Sequence, residues 1–94
     1  MIKNFKDARA EAIFEGRDPG KGFPAELIRS ARRKLIMLAE ARVLADLRSP
    51  PANRLEPLKA DREGQYSIRI NNQFRLCFVW TGSDAEEVEI VDYH

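Results

Sequence analysis

The chain has 94 residues, 33% of them charged and 44% hydrophobic, which suits one soluble domain spanning residues 1–94 with a single modest core. No apolar run approaches the roughly 20 residues of a membrane span, and Met1-Ile2-Lys3-Asn4-Phe5 lacks the apolar stretch of a signal peptide. One cysteine, Cys77, leaves no intrachain disulfide and no cysteine-built metal centre, and points to the cytoplasm.

In chain order, Ile2 to Phe5 reads as a short strand and Asp7 to Glu15 as a short helix, with Asp7 near its start and Gly16 suited to the left-handed residue after it. Residues 16–22 form a loop by composition. Their likeness to a phosphate-binding loop fails, because the glycine spacing is one residue short and Gly22 stands where a Ser or Thr should bind magnesium. Pro24 opens a longer helix extending to about Asp46, with Ile28, Ala31, Leu35, Leu38 and Ala45 as its buried stripe. Arg29, Arg32, Arg33 and Lys34 lie largely off that stripe, as a solvated basic face. Pro50 and Pro51 end the helical half.

After Asn53 the apolar period shortens to two. Leu55 and Leu58 begin a strand-rich half, with Pro57 arguing for an edge strand. Three strands follow, over Gln65 to Asn71, Phe74 to Trp80 and Glu86 to Val91, with turns at Asn71-Asn72 and Gly82-Ser83-Asp84. Phe78 and Trp80 fall in the apolar alternation and belong to the core.

Register follows from which faces must be buried. A two-residue turn at Asn71-Asn72 would mix aliphatic and polar groups on one face, whereas a turn over Asn71-Asn72-Gln73 pairs Ile70 with Phe74, Ile68 with Leu76 and Tyr66 with Phe78. The opposite face then carries Arg69 beside Arg75, a repulsive cross-strand pair unless carboxylates such as Glu87 or Glu89, or an external anion, lie nearby. A neutral replacement of Arg75 should therefore relieve repulsion. Tyr93 shares this face by the same alternation.

The net charge of +1 hides an asymmetry: residues 1–45 hold ten Lys/Arg against six Asp/Glu, and residues 46–94 six against nine. Any anion-binding surface is thus local, built from particular arginines. The only histidine, His94, ends the chain after Asp92 and Tyr93, so an acid, a phenol and an imidazole meet there. Those are groups that proton transfer at phosphate requires.

The stretch Asn53-Arg54-Leu55-Glu56-Pro57-Leu58-Lys59-Ala60-Asp61-Arg62-Glu63-Gly64, then Tyr66-Ser67-Ile68-Arg69-Ile70, Phe74-Arg75-Leu76 and Glu89-Ile90-Val91-Asp92-Tyr93-His94, resembles the HigB toxins of the RelE/ParE superfamily. The opening residues and the basic helix fit too, so the likeness covers the whole chain. It implies an α+β fold, with an N-terminal strand and two helices packed on one face of a mostly antiparallel sheet. It implies a metal-independent endoribonuclease without a cofactor, cutting messenger RNA in the ribosomal A site. Its partner would be a HigA-type helix-turn-helix antitoxin, through which alone it would meet operator DNA.

Residue by residue, Asp92, Tyr93 and His94 match the family's terminal triplet, and Lys59 and Arg75 its phosphate-contacting positions. His94 is then the candidate general acid, Glu56 or Asp92 the base, and Arg62 and Arg69 supporting RNA contacts. One departure stands out: relatives read Leu-His-Pro-Leu-Lys where this chain has Leu55-Glu56-Pro57-Leu58-Lys59, which puts a negative charge toward a polyanion. Two alternatives stay open, a non-catalytic inhibitor of DNA gyrase in the manner of ParE, and an attenuated toxin that retains antitoxin binding.

Overall fold

The computed structural model describes residues 1–93. Two helices, α1 (Ala8–Phe14) and α2 (Ile28–Glu40), precede a four-stranded antiparallel sheet of β1 (Glu56–Pro57), β2 (Gln65–Arg69), β3 (Phe74–Thr81) and β4 (Asp84–Asp92), in the order β1-β2-β3-β4. The N-terminal segment is less than a full strand. It runs parallel along the open side of β4, bridging at Ile2–Ala85 and Phe5–Val88, and so covers part of an otherwise unpaired edge.

Helix α1 starts where Asp7 accepts from the Arg9 amide, and it ends before Gly16, whose φ of +81° suits a residue without a Cβ. Helix α2 is shorter than its sequence suggests, stopping at Glu40 rather than near Asp46. The Asp46 carboxylate accepts from the amides of Arg42 and Val43, donors that a continuing helix would aim at its own carbonyls. Those two bonds also hold the Asp46 carboxyl below its ordinary pKa. The chain re-forms as a 3-10 turn over Leu44–Arg48, which exposes Ala45 and buries Leu47 in its place.

Ala31, Leu35 and Leu38 of α2, with Ala10 and Ile13 of α1, meet Ile68, Leu76, Phe78, Val88 and Ile90 in one core. Leu35, Leu38, Ile68, Leu76 and Phe78 are wholly buried, each worth about 1.5–3 kcal/mol against exposure. Trp80 is partly buried and packs edge-on against Phe78, with ring centroids 6.4 Å apart.

The register follows the buried-face argument: Tyr66 opposes Phe78, Ile68 opposes Leu76 and Arg69 opposes Arg75. Asn71 fixes the turn by accepting from the amides of Gln73 and Phe74 at 2.9 and 2.7 Å. One feature escaped the alternation. Cys77 pairs with Glu89 but Val79 with Glu86, so β4 carries a bulge, with Glu87 in a left-handed conformation at φ 54°. The extra residue lets both Ala85 and Val88 face the core.

Candidate active site

The sheet face turned away from the helices reads as cross-strand rows. Glu56, Ser67, Cys77 and Glu89 form one, and Arg69, Arg75 and Val91 the next. Tyr93 continues the β4 alternation past Val91, and its backbone amide donates to the Gln73 carbonyl at 2.5 Å, which sets the ring beside the β2–β3 turn.

Over the second row lies a cavity of about 540 Å³ lined by Ala52, Arg54, Glu56, Arg69, Asn71, Asn72, Arg75 and Tyr93. Three arginines and a single glutamate line it, so the pocket is anion-attracting although the chain as a whole is nearly neutral.

The Arg69–Arg75 contradiction resolves through separate partners. Arg69 donates to the Asn72 side-chain carbonyl. Arg75 sends Nε to Ser67 Oγ at 2.8 Å and Nη2 to the Arg54 carbonyl at 2.6 Å, and pairs with Glu56 at 3.3 Å. Glu56 is therefore the carboxylate beside this pair; Glu89 is taken by Arg62 at 3.0 Å and Lys6 at 3.7 Å, and Glu87 falls in the β4 bulge with no partner in the β3–β4 register. Nη1 of Arg75 has no partner among the described residues, leaving one edge of the guanidinium for a ligand.

Tyr93 lies 4.0 Å from Cys77 Sγ through its hydroxyl. Burial raises both the Tyr93 phenol and the Cys77 thiol above their ordinary pKa values. The phenol consequently stays protonated at neutral pH, a hydrogen-bond donor rather than a base.

The structure thus gathers Glu56, Arg69, Arg75 and Tyr93 around one cavity. Arg62 does not line it; its hydrogen bond to Glu89 raises its pKa, and it lies over the neighbouring row. Lys59 is exposed at the start of the 3-10 turn Ala60–Arg62, also outside the lining. Asp92 opposes Phe74 on the other parity of β4, where Gln73 Nε2 donates to it at 3.1 Å. His94 lies outside the described residues.

Four contributors, Ser67, Arg54, Lys34 and Asn53, were not singled out as site residues from sequence. Ser67 and the Arg54 carbonyl hold Arg75, and Lys34 turns away from the basic helix face to donate to the buried Asn53. Burial, then Arg33 and Arg69, lowers the Lys34 pKa. Ser67 was legible in principle, two residues before Arg69 in the same alternation; nothing local marks Asn53.

A larger concavity of about 730 Å³ lies along the helices, with Ile13, Ile28 and Ile36 beside Arg17, Arg29 and Arg33. Among the described residues its lining has no carboxylate, phenol or thiol, the groups that the smaller pocket on the sheet does hold in Glu56 and Tyr93.

Residues 3–94 match the family model for the RelE-like toxin of type II toxin–antitoxin systems, HigB. Toxin HigB-1 of Vibrio cholerae serotype O1 is 39% identical over 85 residues, 90% of each chain, and Endoribonuclease HigB of Proteus vulgaris is 32% identical over the full length of both. Among solved structures, YafQ from Escherichia coli BL21(DE3) superposes with a TM-score of 0.64 at 13% identity, covering 98% of this chain and 91% of that one. YoeB from the Staphylococcus aureus YoeB–YefM complex gives 0.56 at 15% identity, covering 100% and 98%. These two show the shared fold. With a family model spanning nearly the whole sequence and a relative at 39% identity, the chain belongs to the HigB family of RelE-like toxins of type II toxin–antitoxin systems.

Proposed function

We propose that this protein is an endoribonuclease that cleaves messenger RNA in the ribosomal A site, arresting translation in the cytoplasm until a HigA-like antitoxin binds it. The observation supporting this reading is the cavity that joins Arg69 and Arg75 to Glu56 and Tyr93, cations with a proton acceptor and a proton donor. The relatives' names add the reaction class, since one of them is an endoribonuclease.

In this mechanism Glu56 takes the proton of a ribose 2′-hydroxyl as its oxygen attacks the adjacent phosphorus. Arg75 Nη1 and Arg69 hold the charge that gathers on the phosphorane oxygens. The bond from phosphorus to the 5′-oxygen breaks as His94 donates a proton to that oxygen, leaving a 2′,3′-cyclic phosphate and a 5′-hydroxyl. Tyr93 donates to the phosphate or stacks on a base. Asp92, on the other parity of β4, holds the chain end rather than moving a proton. Lys59 and Arg62 contact RNA outside the pocket.

Single-turnover cleavage of message on programmed ribosomes tests this. Removing His94 should slow cleavage about 10²–10⁴-fold with antitoxin binding intact, Glu56→Gln should also disable it, and Asp92→Asn should have the smallest effect. Glu56→His should keep cleavage, because imidazole accepts the same proton without opposing the polyanion. Uncut message together with poisoned gyrase would replace this reading by the ParE-like one.

A further inference from the structure

Two polar side chains among the described residues are fully buried, Asn53 and Ser67, and both act on Arg75. Ser67 lies diagonally across from it on β2. Its Oγ accepts from Arg75 Nε at 2.8 Å, and its backbone carbonyl lies 3.4 Å from Nη2. Asn53 works one step removed: Nδ2 donates to the carbonyls of Leu47 and Ser49 at 3.1 and 3.3 Å, while Oδ1 accepts from Lys34. That anchorage holds the next residue, Arg54, in a left-handed conformation at φ 47°, ψ 59°, with its carbonyl 2.6 Å from Arg75 Nη2.

An arginine carries about 2 kcal/mol of rotamer entropy and does not hold one geometry unaided. Here Nε and Nη2 donate to neutral acceptors supplied by the fold, with the Glu56 carboxylate also near Nη2, and Nη1 is the arm that remains among the described residues. The rival acceptor is Glu56, 3.3 Å from Nη2 with its side chain 58% exposed. It is negative, and its exposed carboxylate is not fixed by the sheet as the Ser67 hydroxyl is. A neutral hydroxyl fixed in the sheet steers Arg75 without cancelling its charge.

We propose that Ser67 is a positioning residue for phosphate cleavage: its hydroxyl, together with the Arg54 carbonyl, holds the Arg75 guanidinium so that Nη1 meets the scissile phosphate. The inference rests on reading Arg75 as the phosphate-binding group of a ribonuclease, so Arg75→Ala is measured first. If Arg75→Ala cleaves ribosome-bound message at the parental rate, that reading falls.

If Arg75→Ala is inactive, Ser67→Thr and Ser67→Val decide the inference, because they share a shape and differ in the hydroxyl. Ser67→Thr should stay within about threefold of the parent, and Ser67→Val should slow single-turnover cleavage about 10–100-fold at saturating ribosomes with an unchanged half-saturating concentration. Equal rates in the two overturn the proposal while leaving Arg75 in place. Should the branched residues prevent folding, Ser67→Ala substitutes: slowed cleavage at a parental melting temperature supports the positioning role, and parental cleavage overturns it.

Discussion

Arg75 changes character between sequence and structure. As an outward strand residue opposite Arg69 it reads as a repulsive charge whose removal should stabilise the protein. In the fold its side chain is only 12% exposed and donates to Ser67 and to the Arg54 carbonyl. Arg75→Gln should therefore lose about 1–3 kcal/mol by urea denaturation, the scale of a charge-assisted hydrogen bond whose loss leaves the buried Ser67 acceptor behind, and lose cleavage as well. The ion pair with exposed Glu56 adds little to stability, so Glu56→Gln should leave the urea midpoint near the parental value. The Cys77–Tyr93 contact makes a prediction about pH. Burial raises the thiol above its ordinary 9.0, so the folded chain keeps a proton that the unfolded chain releases sooner. That contribution is fully present below pH 9.0 and is lost as pH rises through the folded value. Melting temperature should fall above that point, and Cys77→Ala should flatten the fall even though it lowers the starting temperature; an unaltered slope would assign the effect to other groups.

At the level of elements, short connections carry more than the periodic segments reveal. Asp7 caps α1 by accepting from Arg9, and its other oxygen accepts from the Ile90 amide of β4 at 3.1 Å. One carboxylate thus starts a helix of 7 residues and docks it on the sheet edge, in line with the parallel bridges of Ile2 and Phe5. Asp7→Ala should cost about 1–3 kcal/mol, a cap plus a charge-assisted hydrogen bond, and Asp7→Asn should recover part of it; thermal or urea unfolding monitored by circular dichroism measures both.

Across the whole molecule, Asn53 ties the helical half to the strand half. It joins Lys34 of α2, the carbonyls of Leu47 and Ser49, and through the chain itself Arg54 and the site. Asn53→Ala strands the buried Leu47 carbonyl, the partly buried Ser49 carbonyl and a half-buried ammonium, and should cost about 2–4 kcal/mol. Its unfolding should remain a single transition, because one core spans both halves.

By itself the sequence determined what depends on local period and on a single buried face. The strand register, the three-residue turn at Asn71 and the meeting of Arg69 with Arg75 follow from alternation, since a slip by one residue would invert every side chain. The same alternation put Tyr93 on the face of Arg75. Tertiary structure decided the rest. The end of α2 was set by Asp46 competing for backbone amides, the bulge at Glu87 by the need to bury Ala85 as well as Val88, and the pairing of Arg75 with Glu56 by a strand ten residues upstream of Tyr66. Each depends on groups distant in sequence meeting in three dimensions, and the balance between a solvated charge and a cradled one is settled only where Ser67, Arg54 and Asn53 close around the guanidinium.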